Sequence, residues 1–216
     1  MKGGISAKLA AAAGLSNRGK METRLALTLQ PALFPLFFPF LQRGFILKAQ
    51  VGCSVKTFLL EELRLSEEYI EMRIQTVFLD GRPVDDLDVT AVRDGSALAL
   101  SGALPGLLGA ALRRGGFYAP LRSRITRGQN EGSQAVQKGQ VVLKLFNLTV
   151  RELGPALLER GIGIGAQEAE DFFRGRADDF WAGCRGAVVD GMAVEPDRLR
   201  YWSWGAGQVD LMLKTV

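Results

Sequence analysis

Apolar and polar positions change period several times along the chain. Gly44–Gly52 (GFILKAQVG) is a short apolar run rich in β-branched residues, and Ser54 is placed to cap the helix that VKTFLLEELRL predicts. Val55, Phe58, Leu59, Leu63 and Leu65 give that helix an apolar face, with Glu61, Glu62 and Arg64 on the wet side. A polar helical piece, SEEYIEMR, precedes IQTVFLDGRPVDDLD, where Asp80-Gly81 marks a tight hairpin turn. Asp94-Gly95 marks another turn, and Ser96–Ser101 then reads as a buried strand. The predicted order is strand, helix, hairpin, strand.

A second stretch repeats this order after the polar, glycine-containing segment 126–140, which is expected to be an exposed linker. VVLKLFN reads as a strand and TVRELGPALLERG as a helix strained at Pro155 and closed by Gly161. Phe45-Ile46-Leu47-Lys48 aligns with Val141-Val142-Leu143-Lys144, and Val77–Asp85 aligns with Ala187–Glu195 through Asp80-Gly81 and Asp190-Gly191. Each stretch closes on an alternating strand, Ala97–Ser101 and Gln208–Lys214. The expectation is an α+β protein with two domains, 44–125 and 141–216, the second a degenerate repeat of the first.

The order of elements over Gly44–Gly116, with Val92-Arg93-Asp94-Gly95-Ser96 before the last strand and Gly115-Gly116 beyond it, resembles the ubiquitin-like β-grasp fold. In particular it resembles the small sulfur-carrier proteins of thiamine and molybdopterin synthesis. That resemblance implies that Ile46–Val51 and Ala97–Ser101 are neighbouring strands with the Ser54–Leu65 helix across them. It also implies a protein that works by docking onto a partner. Carrier chemistry itself needs a terminal Gly-Gly, and here about a hundred residues follow Gly116.

Ahead of these stretches, Leu25–Leu41 is strongly apolar, but Pro31, Pro35 and Pro39 recur every fourth residue and break any spanning helix. Extended or kinked packing is expected over segment 22–43, with Phe34, Phe37, Phe38 and Phe40 in the core or against a partner, including a second copy of the chain. Residues 1–21 form a basic leader, read as a mobile tail in a cytoplasmic protein without a transmembrane segment.

Composition then removes chemistry. The 216 residues contain no histidine, which excludes Ser-His-Asp and Cys-His catalysis and His-based metal sites. Cys53 and Cys184 belong to no C-x-x-C pair, and no glycine loop carries a Walker lysine, so no cofactor and no metal is expected. Gly161-Ile162-Gly163-Ile164-Gly165 follows a predicted helix instead of a strand, so it reads as a cap and turn, not a dinucleotide fingerprint. Asp80, Asp85, Asp86 and Asp88 fit no EF-hand spacing and read as a solvated hairpin tip. The net charge of +4 resides in the leader, where Lys2, Lys8, Arg18 and Lys20 meet no acid; the remaining 23 basic residues balance the 23 acidic ones, and the electrostatic argument for nucleic acid fails.

One local cluster stands out. Arg113, Arg114, Arg122 and Arg124, with Gly115, Gly116, Phe117 and Tyr118, form a basic and aromatic stretch without an acidic residue. Arginine forks suit carboxylates, whether the chain's own Glu61, Glu62, Asp85 or Asp86 or those of a protein partner, and the cluster also suits an anionic ligand and, least of all, RNA. The expected function is therefore that of a non-enzymatic binding or adaptor protein whose ubiquitin-like module docks onto a protein partner. The alternative is a small-molecule or anion-binding protein, or a histidine-free enzyme using Arg and Asp near the Gly-Gly segment.

Overall fold

The computed structural model describes residues 22–103, 106–117 and 135–216. Ten strands form one mixed sheet: β1 (Glu22–Leu29), β2 (Phe45–Val51), β3 (Thr76–Leu79), β4 (Arg82–Pro83), β5 (Ala97–Ser101), β6 (Gln137–Phe146), β7 (Ile162–Gly165), β8 (Cys184–Val189), β9 (Met192–Val194) and β10 (Gln208–Thr215). Their spatial order is β4-β3-β5-β6-β2-β7-β10-β1-β8-β9. The chain is thus α+β, and the helices are α1 (Phe38–Arg43), α2 (Val55–Thr57, continuing as a wide π turn over Phe58–Glu62), α3 (Glu67–Met72), α4 (Gly106–Leu112), α5 (Leu148–Arg160), α6 (Ala166–Arg174) and α7 (Asp178–Gly183).

Alternation along the strands assigns the two faces. Leu25, Leu27 and Leu29 of β1, Phe45 and Leu47 of β2, Ile162 and Ile164 of β7, and Leu211 and Leu213 of β10 all join a single buried cluster. Phe37, Phe40, Phe58, Leu158, Phe172, Phe173 and Phe180 cover that face from the helical segments. Gly154 lets α5 approach α1 closely, since a Cβ there would sit 2.8 Å from Leu41 Cδ1 and 3.2 Å from Phe38 Cε1. The alternate positions form the opposite face of the sheet, which these helices leave open.

Segment 22–43 is extended as far as Leu29 and kinked from Pro31, where a 3-10 turn (Pro31–Phe37) leads into α1. Phe34, Phe37, Phe40 and Leu41 are buried and Phe38 half-buried, so the chain's own core takes up the apolar surface on which the expected homodimer would rest. No helix among the described residues is long and apolar enough to cross a membrane.

The strands depart from the expected neighbourhood. β2 and β5 are not adjacent: β6, from beyond residue 126, lies between them, antiparallel to β2 and parallel to β5. β1 likewise lies between β10 and β8, parallel to the first and antiparallel to the second. Residues 137–140 belong to β6, not to a linker, and the division between 44–125 and 141–216 falls inside one continuous sheet. Phe45–Lys48 and Val141–Lys144, aligned as repeats by their sequence, are hydrogen-bonded neighbours instead, Phe45 facing Leu143.

Read from either edge, the strand directions are the same, and a two-fold axis between β2 and β7 exchanges β6 with β10, β5 with β1, β3 with β8 and β4 with β9. The turns obey it in detail. Asp80 (φ 52) and Gly81 (φ 78), and Asp190 (φ 49) and Gly191 (φ 85), have positive φ at both central positions, the type I′ geometry that suits the right-handed twist of a hairpin. Asp80 Oδ1 accepts the Ala97 N–H of β5 at 2.8 Å, and Asp190 Oδ1 accepts the Arg24 N–H of β1 at 2.8 Å. The backbone N–H groups of the same aspartates donate to the Ala97 and Arg24 carbonyls at 2.8 and 2.9 Å. Replacing either aspartate with alanine removes a carboxylate bond and puts an ordinary residue in the left-handed region. The expected cost is about 1–2 kcal/mol at each site by urea denaturation, and less for asparagine, which tolerates that conformation.

Candidate binding cleft

β7 is the GIGIG segment, and it is a strand where a cap and turn were expected. Gly161 does cap α5, its N–H donating to the Leu157 carbonyl, and Gly165 precedes α6, but Ile162 and Ile164 between them pair with β10 and are buried. The glycines therefore fall on the open face in the middle of the sheet. Gly163 leaves room that its neighbours fill: a Cβ would sit 2.3 Å from Gln208 Nε2 and 3.0 Å from Ile46 Cβ.

One register row crosses this face through Arg24, Asp210, Gly163, Ile46, Val142 and Ala97. The two-fold axis exchanges Gly163 with Ile46, Asp210 with Val142, and Arg24 with Ala97. One half of the row is apolar throughout; its counterpart carries a glycine, a carboxylate and a guanidinium. The apolar half shows that the architecture needs none of these.

Around the polar half, a cleft of about 450 Å³ is lined by Arg24, Ala26, Ile46, Lys48, Gly163 and Met212, among others. Its volume falls in the range of small-molecule sites. Lys48 Nζ donates to Glu22 Oε2 at 2.7 Å and Asp210 Oδ2 at 2.9 Å, while Gln208 Nε2 donates to Asp210 Oδ1 at 2.8 Å. Partial burial pulls the Lys48 ammonium down, but the hydrogen bonds and charges of Glu22 and Asp210 outweigh it and hold its pKa above the ordinary lysine value. Lys48 is thus a fixed cation at neutral pH, not an amine nucleophile. Arg160, at the end of α5, pairs with Glu62 Oε2 at 3.6 Å and donates to the Glu62 carbonyl.

The basic and aromatic stretch lies elsewhere. Arg113 and Phe117 are exposed, Phe117 at 89%. Arg114 is half-buried, with its N–H on the Gln75 carbonyl at 2.8 Å and its guanidinium on the Ile70 carbonyl at 3.3 Å; burial lowers its pKa against the pull of Glu71, Asp85 and Asp88. Gly115 has φ 62, and the Gly116 N–H donates to the Arg113 carbonyl at 3.1 Å, closing a turn after α4. Tyr118, Arg122 and Arg124 lie outside the described residues. The segment is anchored beside β3, four strands from β7.

The hairpin aspartates do not converge. Asp80 bonds β5, Asp86 Oδ1 accepts the Asp88 and Val89 N–H groups, and Asp88 pairs with Lys56. Cys53 is half-buried and Cys184 buried, and burial raises both thiol pKa values, the opposite of activation.

In comparisons with known proteins, no family model, no curated protein and no solved structure matches this chain.

Proposed function

We propose that the chain is a non-enzymatic binding protein that recognises its ligand with the open face of the sheet, in the cleft along β7. The observation that carries this is the uneven row: Arg24, Asp210 and Gly163 stand where the two-fold axis places Ala97, Val142 and Ile46. Lys48, Glu22, Asp210 and Gln208 satisfy one another, with Gln208 lying over Gly163, which is the preorganisation a binding site needs. The composition offers no histidine as a base, and the only lysine in the cleft is held protonated.

On this reading the two halves are divergent copies of one unit, 22–101 and 137–215. Each runs strand, helical segment, strand, helical segment, hairpin, strand. Each half-sheet receives the other unit's first strand, but at a different place, β6 between β2 and β5 and β1 between β10 and β8, so the two-fold axis relates positions in the sheet and not the two copies. The supporting facts are the paired Asp-Gly hairpins and the matching order of elements.

A second reading, protein docking through the stretch after α4, draws on the exposure of Leu107 at 82% and Phe117 at 89% on either side of Arg113. Amide chemical shifts under titration with a small-molecule fragment library separate the two. Fragments that bind are expected to shift Ala26, Ile46, Gly163 and Met212. Shifts centred on Arg113–Phe117 would move the function to the second surface and overturn the first reading.

A further inference from the structure

The charges in the cleft are accounted for unevenly. Asp210 has both oxygens occupied, by Lys48 at 2.9 Å and Gln208 at 2.8 Å, so it has little left to offer an incoming cation. Lys48 is neutralised twice, by Glu22 and Asp210, and Arg160 is paired with Glu62. Arg24 sits directly across from Asp210 in the register, yet its guanidinium makes no ion pair or side-chain hydrogen bond among the described residues. Its backbone is fixed on both sides: the N–H and carbonyl bond Asp190, and β10 and β8 flank the strand. The cleft therefore presents one rigidly mounted fork whose hydrogen bonds are unused among the described residues, beside a Lys48–Glu22–Asp210 cluster whose one excess negative charge balances it overall without engaging it.

Beside that fork and the mutually bonded Lys48, Asp210 and Gln208, much of the remaining lining is apolar. Ala26 and Ile46 are half-buried, and Met212 and Val188 are exposed at 36% and 37%. Gln208 and Ile46 already cover Gly163, so Ala26, Ile46 and Met212 meet the ligand, and Met212 has an adaptable thioether that conforms to a ligand of imprecise shape. A guanidinium matches a planar carboxylate, or a sulfonate, through two parallel hydrogen bonds.

We infer that the cleft takes a molecule with an apolar body and a single anionic head, the head bound by Arg24 and the body laid along Met212 between Ile46 and Ala26. This rests on the cleft being the binding site, and its test keeps the two claims apart. The full chain is titrated with 1-anilinonaphthalene-8-sulfonate, an apolar aromatic sulfonate, and the probe is competed with laurate, dodecanol and dodecylamine. Laurate is expected to displace it at least tenfold more effectively than the neutral or cationic analogue. Arg24→Gln is expected to remove that advantage while leaving dodecanol binding unchanged. Ala26→Trp, or Met212→Trp if the first variant does not fold, is expected to abolish displacement by all three.

If dodecanol or dodecylamine competes as well as laurate, or Arg24→Gln retains the preference, the charge assignment is wrong. The cleft still stands if the filling variants block binding. If no probe binds, or binding survives in a folded filling variant, the cleft is wrong and the ligand class falls with it.

Discussion

Replacing Phe37 with alanine is expected to cost about 3–5 kcal/mol, the range for deleting a fully buried ring whose cavity cannot collapse. Phe37 is wholly inaccessible, and its ring lies 4.7 Å from that of Phe172, 6.1 Å from Phe180 and 6.3 Å from Phe40. It joins the 3-10 turn after β1 to α6 and α7, so no single element can shift to fill the void. At about 2–4 °C per kcal/mol for a chain of this size, the melting temperature should fall by roughly 6–20 °C. Leu36→Ala, at a neighbouring position exposed at 38%, should stay within about half a kcal/mol and serves as the control. If both variants melt alike, the buried placement of this segment is wrong.

Dividing the chain in the segment between α4 and β6 should produce two pieces that cannot fold alone. A fragment of residues 135–216 lacks β1, so β8 and β10 lose the strand that both pair with over most of their length. A fragment of residues 1–117 lacks β6, so β2 and β5 lose theirs. Each is expected to show no dispersed amide spectrum by itself, and mixing the two should restore the spectrum of the intact chain. Either fragment giving a native-like spectrum alone would show that the exchange of strands is dispensable.

Much of the local structure was legible in the sequence. The strand at 45–51, its Ser54 cap, the Asp80-Gly81 and Asp190-Gly191 hairpins and the helix ending at Gly161 are written in neighbouring residues, because capping and turn chemistry act within a few positions. The order of strands was not, since it depends on which edge β6 and β1 enter, and the sequence carries no local mark of either. β7 was missed for a different reason. Glycine disfavours strands, and its cost is met here by the burial of Ile162 and Ile164 and by the side chains that reach over Gly163, none of which a short window contains.

The candidate site followed the same division. The stretch from Arg113 to Tyr118 was visible because its residues are consecutive, and the structure uses Arg114 to fasten a turn. The cleft draws on Arg24, Lys48, Gly163 and Asp210, which lie far apart along the chain and meet only through the sheet. A lone Lys48 in an apolar strand and an Asp210 in the alternating last strand were signals of a kind, since each places a charge within a strand that is otherwise largely apolar.

The placement of β1 has a consequence for biosynthesis. Its parallel partner, Gln208–Thr215, is translated after every other strand, and at about 5–20 residues per second the interval is on the order of ten seconds or more. Throughout that time Leu25, Leu27 and Leu29 have no finished site to enter, although the strand that carries them has long left the ribosome. The nascent chain is therefore expected to display a sticky apolar ribbon until Gln208–Thr215 arrives. A cell making this protein has reason to cover that ribbon with a chaperone, and synonymous codon changes that slow translation between β2 and β10 should lower soluble yield without altering the finished molecule.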